Sequence, residues 1–381
     1  MLKEFEVGPI RPPSEASSLL LRITRNCSWN KCKFCRLYKG QPFKTRSIEE
    51  IKEDIDQVAA YRDDIASWMP AGAPFDQQLF YRRMRQLPEE IAQQYFYVLN
   101  WMLNGEEQSV FLQDANTMVL TFDKLLSILT YLKEKLPEVR RITSYGRVDA
   151  LTRFSVEQLT ELREAGLNRI HSGYETGSDR VLTLINKGYT KEQEIEAGQK
   201  VKASGIELSI YVMSGVGGRQ LSEENAEETA DVISKVNPDF VRIRTFVAKT
   251  GTEILEEIQQ GRIEECSDKE KLLELKNMIS QINGADGFVY SDHIINLLEE
   301  VQGNLKTDRQ KMLSVIQAFE DLPVREQREF QLARRMCMIR SMSQLDELSP
   351  EQKAKVEMYF AQLSSDDEFE AFLSRLLRRY I

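Results

Sequence analysis

The chain has 381 residues, of which 41% are hydrophobic and 29% charged, and a net charge of −9. That is ample material for one large domain or two ordinary ones with a buried core. No apolar run reaches bilayer length and "MLKEFEVGPIRPPSEASS" lacks the apolar centre of a signal peptide, which excludes a membrane partner and makes the cytoplasm the expected compartment. The acidic balance lacks the global footprint of a nucleic-acid binder, and the basic patch "YRRMRQ" (81–86) reads as a solvated helix face.

The first strand is expected at "SLLLRITR" (18–25), running into the loop "ITRNCSWNKCKFCRLYKG" (23–40). Ser47 followed by Glu50 forms a capping box and opens a helix at about 47–63. An aromatic-rich helical insertion occupies about 64–108. It enters from a helix end and leaves into a strand start, the face of a parallel barrel opposite the active site, so it reads as a packing or oligomer contact rather than a lid. The second strand is "SVFLQD" (109–114). Phe122, Leu125, Leu126, Leu129 and Leu132 then repeat at three- and four-residue steps, the stripe of an amphipathic helix.

Further strands are expected at "RRITSYGR" (140–147), "NRIHSGYE" (168–175), "IELSIYVMSGV" (206–216) and "DFVRIRTFV" (239–247), with a second capping box at Ser155 and Gln158. From the second strand on, strand starts fall 25 to 40 residues apart, the rhythm of βαβ units in a parallel sheet. The expected fold is α/β, a partial (β/α)6 TIM-like barrel; an open doubly wound sheet is also compatible with the pattern. The core spans 1–285. From "SDHIINLLEEVQ" onward, 286–381 reads as a helical C-terminal region, with Ser291 and Asp292 opening a helix beside His293.

Three of the five cysteines, Cys27, Cys32 and Cys35, lie within nine positions directly after the first strand, where an α/β barrel places its chemistry. A disulfide framework suits an oxidising compartment. Structural zinc wants four closed ligands, and the remaining candidates, Cys266, Cys337, His171 and His293, are all distant in sequence. A four-iron cluster held by three thiolates fits better, because it leaves one iron open to a small molecule. Cys266 and Cys337 read as ordinary thiols, and His171, sharing strand parity with Glu175, as a barrel-interior histidine.

The loop resembles the cluster motif of the radical S-adenosylmethionine (SAM) superfamily, Cys-x3-Cys-x2-Cys, with one additional residue between the first two cysteines. The resemblance implies that Cys27, Cys32 and Cys35 ligate a [4Fe–4S] cluster and that Phe34 lies beside the adenine of SAM. Ala115 and Asn116 match the turn that meets the SAM amino group, and Glu175 the residue that binds the ribose hydroxyls. Lys187 would face the SAM carboxylate. Gly215, in "SGVGGR", matches the turn after the fifth strand, and "FVAKTGTEI" the turn after the sixth; Ser144, Arg147 and Tyr211 would line the same pocket.

The implied activity is reductive cleavage of SAM to a 5′-deoxyadenosyl radical that abstracts hydrogen from an unidentified substrate. The electron would come from a low-potential donor of the flavodoxin or ferredoxin type. Sulfur-inserting and auxiliary-cluster branches need further cysteine groups than this chain offers. Two other readings stand beside this one. The first is a non-catalytic iron–sulfur protein serving electron transfer or structure. The second is a zinc-stabilised interaction module.

Overall fold

The computed structural model describes residues 2–69, 74–105, 108–363 and 365–379. The chain divides into two units, one comprising 1–28, 40–172 and 203–207, the other 29–39, 173–202 and 208–381. Among the described residues no helix is long and apolar enough to cross a membrane.

In the first unit, β1 (Leu19–Arg22) is followed by an antiparallel ribbon of β2 (Thr24–Arg25) and β3 (Lys44–Thr45), whose Thr24–Thr45 and Arg25–Lys44 pairs bring together the two ends of the cysteine loop. The capping box at Ser47 and Glu50 starts α1 (Ile48–Trp68), which buries Ile51, Ile55, Val58 and Ile65 on one face. The insertion forms α2 (Gln77–Met84) and α3 (Glu89–Asn104). Tyr95, Val98, Leu99 and Trp101 of α3 are buried, and the Tyr95 and Tyr61 rings meet edge to face at 4.8 Å, so α3 packs on α1. Packing is thus one use of the insertion.

Strand β4 (Val110–Gln113) pairs in parallel with β1. α4 (Phe122–Lys135) follows, burying Leu125, Leu129 and Leu132 and leaving Phe122 and Leu126 half-exposed. Next come β5 (Ile142–Tyr145), α5 (Val148–Leu151), α6 (Val156–Glu164) and β6 (Leu167–Glu175), with β4, β5 and β6 in parallel register. Ser155 and Gln158 form the second capping box. A buried polar group sits within this unit: Glu15 accepts from Arg141 at 2.7 Å and Ser18 at 2.6 Å, and meets Nε2 of His171 at 3.2 Å. His171 is fully buried and partnered, the structural role read from its strand position.

The second unit contains the last three residues of β6. They are followed by α7 (Asp179–Leu184), α8 (Lys191–Ala203), β7 (Glu207–Ser214), α9 (Ser222–Val236), β8 (Phe240–Thr245), α10 (Glu253–Gln259) and α11 (Asp268–Gln281), with Ala203 and Glu207 themselves counted in the first unit. β7 and β8 run parallel, and β9 (Phe288–Tyr290) adds a further parallel strand beside β8. β10 (Gly303–Asn304) pairs antiparallel to β9. The chain ends in α12 (Arg309–Glu320), α13 (Val324–Arg335), α14 (Pro350–Gln362) and α15 (Asp366–Leu377). Both units are parallel α/β, the class expected from strand spacing.

One stretch departs from expectation. "SDHIINLLEEVQ" is not helical but a run of turns between β9 and β10, so Ser291 and Asp292 open no helix beside His293. Side-chain bonds satisfy its backbone and that of β8 instead. Asn296 donates to Ile243 O at 3.0 Å and accepts from Thr245 at 3.1 Å, while Ser291 donates to Leu298 O at 2.8 Å. Such bonds offer the chain an alternative to the helical ladder.

Candidate functional site

Cys27 belongs to the first unit, and Cys32 and Cys35 to the second. All five cysteines are thiols. In the first unit, the end of β4 anchors the residues around Cys27. Asp114 accepts from the backbone N–H of Asn26 at 3.1 Å and from Arg22 at 2.8 Å. Asn116, fully buried, donates to Ser28 at 2.9 Å and accepts from the Arg147 N–H at 3.0 Å. The Asn116 side chain is therefore committed to holding the turn, and Ala115 is carried in that turn between two anchoring residues. Ser144 is buried, its hydroxyl donating to Tyr145 O at 3.1 Å.

In the second unit, residues 29–39 are pinned at several points. Cys32 is buried and Cys35 half-buried on one tight turn, closed by the Cys35 N–H on Cys32 O at 3.3 Å. The Lys33 N–H donates to Ile185 O at 2.9 Å, and Lys33 O accepts from Ile254 at 3.2 Å. Trp29 donates its indole N–H to Asn186 O at 2.8 Å and lies over Gly188. A Cβ at Gly188 would come 2.3 Å from the Trp29 ring, and φ there is +85°, so both space and backbone require glycine. Phe34 packs against a core that includes Val181, Ile185, Val216 and Phe246.

Lys187 lies 5.6 Å above the Phe34 ring and donates to Glu175 at 2.7 Å. Glu175 ends β6 with φ at +71°, a left-handed conformation uncommon for a side chain of its size. Backbone strain of this kind gathers where a side chain must be aimed. Gly173 leaves the room the pair needs, since a Cβ there would fall 2.4 Å from Glu175 Oε1 and 3.3 Å from Lys187 Nζ. Phe34, Glu175 and Lys187, singled out from three separate stretches of sequence, thus form one connected group within this unit.

Gly215, at φ +83°, donates its N–H to Glu274 of α11 at 2.7 Å. Glu274 also accepts from Ser222 and Asn225, both at 2.6 Å; burial outweighs these bonds and pushes its carboxyl up to about 7. Sequence reasoning missed Glu274, Asp114 and Trp29. Glu274 sits on an ordinary-looking charged helix, and its only signal is burial. Trp29 lies between two cysteines in the motif and could have been found by asking what docks the loop. Near Cys35, burial and the charge of Arg36 hold Lys249 down to about 8, against the opposite pull of Cys35.

Among the described residues no group of three or more His, Cys, Asp or Glu side chains is arranged around a single metal position. A four-iron cluster differs from a single ion in that each thiolate binds a different iron. As to donor chemistry, the cysteine loop offers three thiols with two- and four-residue spacing, the donor type such clusters take.

Residues 21–233 match the Radical SAM superfamily, more than half of the chain. Among curated proteins, the chain is 32% identical over 161 residues to the tRNA-2-methylthio-N(6)-dimethylallyladenosine synthase of Aquifex aeolicus, covering 41% of this chain and 36% of that protein. It is 22% identical to the corresponding synthase of Christiangramia forsetii, covering 73% and 54%. The chain thus spans about a third to a half of the length of these relatives. Among solved structures, methylornithine synthase aligns over 83% of this chain and 86% of its own at 16% identity, with a TM-score of 0.39. The extent of the superfamily match settles the family: the chain is a radical SAM enzyme, and that family's cofactors are a [4Fe–4S] cluster and SAM.

Proposed function

We propose that Cys27, Cys32 and Cys35 hold the cluster, and that the group around Glu175 and Lys187 binds SAM. The observation that carries this reading is the buried Lys187–Glu175 contact at 2.7 Å beneath Phe34, all within one unit. When bound, the cluster and SAM supply a 5′-deoxyadenosyl radical able to abstract hydrogen from a substrate.

The chain's own residues orient and enclose. The Glu175 carboxylate can accept from ribose hydroxyls while the Lys187 contact at 2.7 Å keeps it aimed. Lys187, a cation at that site, can also meet the SAM carboxylate. Phe34 offers a flat apolar face to the adenine, and the Gly215 turn allows close approach of the backbone. Asn116 positions the turn after β4, with Ala115 carried in it, and Ser144 completes the buried end of β5. A low-potential reductant of the flavodoxin or ferredoxin type supplies the electron. From the tRNA-modifying relatives the proposal takes only the shared radical chemistry, because the chain spans a minority to a half of their length.

The test is anaerobic reconstitution with iron and sulfide, followed by SAM and dithionite. The expected result is a brown protein that releases 5′-deoxyadenosine, and a Cys27→Ala/Cys32→Ala/Cys35→Ala variant that does neither. Brown protein with no nucleoside product would favour an electron-transfer or structural cluster instead.

A further inference from the structure

The second unit carries a pair of largely buried arginines outside the group of Phe34, Glu175 and Lys187. In the ladder of β7, β8 and β9, register sets Tyr211 beside Arg242 and Arg242 beside Tyr290; two residues on, Met213 stands beside Arg244. Residues paired in parallel register point to the same face, so these side chains share one side of the ladder. Val241, Ile243 and Thr245 take the other.

Both arginines are largely buried, with side-chain exposures of 4% for Arg242 and 12% for Arg244. Each lies over an aromatic ring at 4.9 Å, Arg242 over Tyr290 and Arg244 over Tyr211. Their ion pairs run to the same carboxylate, Asp292, at 3.1 and 3.4 Å. The second distance is long for a charge-assisted bond. Arg242 also donates to Ser209 at 3.2 Å and Nη1 of Arg244 to Ile243 O at 2.8 Å, whereas Nη2 of Arg244 is buried with no hydrogen-bond partner among the described residues. Two largely buried cations thus share one anion, the exposed Asp292, and an unsatisfied guanidinium edge remains. Burying a charge without its counter-charge is costly, and a guanidinium fork matches a planar or tetrahedral oxyanion.

His293 lies in the field of the same charges. Burial and the charges of Arg244, Lys249 and Arg334 together hold it down to about 4, against the pull of Asp292. Its Nδ1 accepts from the Ile295 N–H at 3.3 Å, which puts the proton of the neutral ring on Nε2 as a donor.

We propose that Arg242 and Arg244, flanked by Tyr211 and Tyr290, form a binding site for an oxyanion group, carboxylate or phosphate, of this enzyme's substrate. Asp292 acts as the resident counter-ion that the incoming anion displaces from Arg244. Naming the ligand a substrate rests on the proposed radical SAM function; the anion site itself does not.

The test uses the full chain without reconstitution, with thermal unfolding measured against inorganic phosphate and malonate at ionic strength matched with sodium chloride. At about ten times the dissociation constant the expected saturable rise in Tm is about 2 °C over chloride. The stronger of the two responses identifies the oxyanion. Asp292→Asn is expected to bind that anion at least about threefold tighter, since it removes the competitor, and Arg244→Gln to lose the response. An Arg244→Gln chain that fails to fold leaves the Asp292→Asn comparison decisive. The Cys27→Ala/Cys32→Ala/Cys35→Ala chain is expected to respond as the unmodified one does. A loss of the anion response therefore stands apart from any failure of the cluster assignment. No difference from chloride in both the unmodified chain and Asp292→Asn would overturn the proposal. So would a weaker response in Asp292→Asn, the result expected if the Asp292 contacts were structural only.

Discussion

Lys187 Nζ lies 2.7 Å from Glu175 Oε1, with side-chain exposures of only 7% and 11%. Removing one partner strands the other's charge in a buried site, which costs far more than the pair contributes net. Lys187→Met is therefore expected to destabilise the protein by about 3 kcal/mol. The double variant Lys187→Met/Glu175→Gln should lose clearly less than the sum of the two single changes. Urea unfolding of the four proteins closes the cycle, and additive losses would show that the two groups act separately. SAM affinity should fall in both single variants, by equilibrium dialysis on reconstituted protein.

Gly188 tests the docking of the cysteine loop. An added methyl would strike the Trp29 ring at 2.3 Å in a backbone conformation of φ +85°. Gly205 has a similar φ of +78° with nothing within 4 Å of a would-be Cβ, so it isolates the backbone effect. Gly205→Ala is expected to cost about 1 kcal/mol, and Gly188→Ala at least about 2 kcal/mol. Iron retained after anaerobic desalting should fall in Gly188→Ala alone.

Glu15 ties folding stability to acid. Burial alone would raise its carboxyl, but the hydrogen bond with His171, the charge of Arg141 and the Ser18 hydroxyl together hold it down to about 2. A carboxyl depressed from 4.5 stabilises the fold above its unfolded pKa, and that contribution drains away as pH falls from about 4.5 through about 2. It amounts to about 3 kcal/mol near neutrality. Glu15→Gln should remove it, so that its stability curve and that of the unmodified chain converge at low pH in urea titrations.

Glu194 has the opposite sign. It is fully buried, neither carboxyl oxygen has a hydrogen-bond partner among the described residues, and burial raises its pKa well above the ordinary value. A raised acid penalises folding once the unfolded chain can ionise, so the penalty is absent below about pH 4.5 and grows above it. Glu194→Leu is therefore expected to be more stable than the unmodified chain at pH 8, with the gain vanishing near pH 4. Equal effects at both values would contradict this.

How much of this was legible in the sequence depends on the range of the interaction concerned. Local signals carried well: the capping boxes at Ser47 and Ser155 start helices where expected, and the six strand-like runs all contain strands. These features depend on residues three or four apart, or on period-two alternation. The turn run after β9 was misread because its apolar residues, Ile295, Leu297 and Leu298, mimic a helical stripe. The groups that hold the run through the Asn296 side chain, Thr245 and Ile243, lie some fifty residues earlier. The site shows the same division. Glu175 and Lys187, twelve positions apart, could be found from one motif; Glu274 beneath Gly215 and Asp292 between two arginines depend on long-range packing that no local pattern announces.

The central claim is that three thiolates of one short loop hold a four-iron cluster with an open position for SAM. Electron paramagnetic resonance of the reconstituted, dithionite-reduced protein tests it most directly, recorded before and after SAM is added. The account predicts about four irons per chain and a cluster signal that changes on SAM addition, both lost in Cys32→Ala. Iron-free protein, or a cluster whose signal ignores SAM, would contradict it.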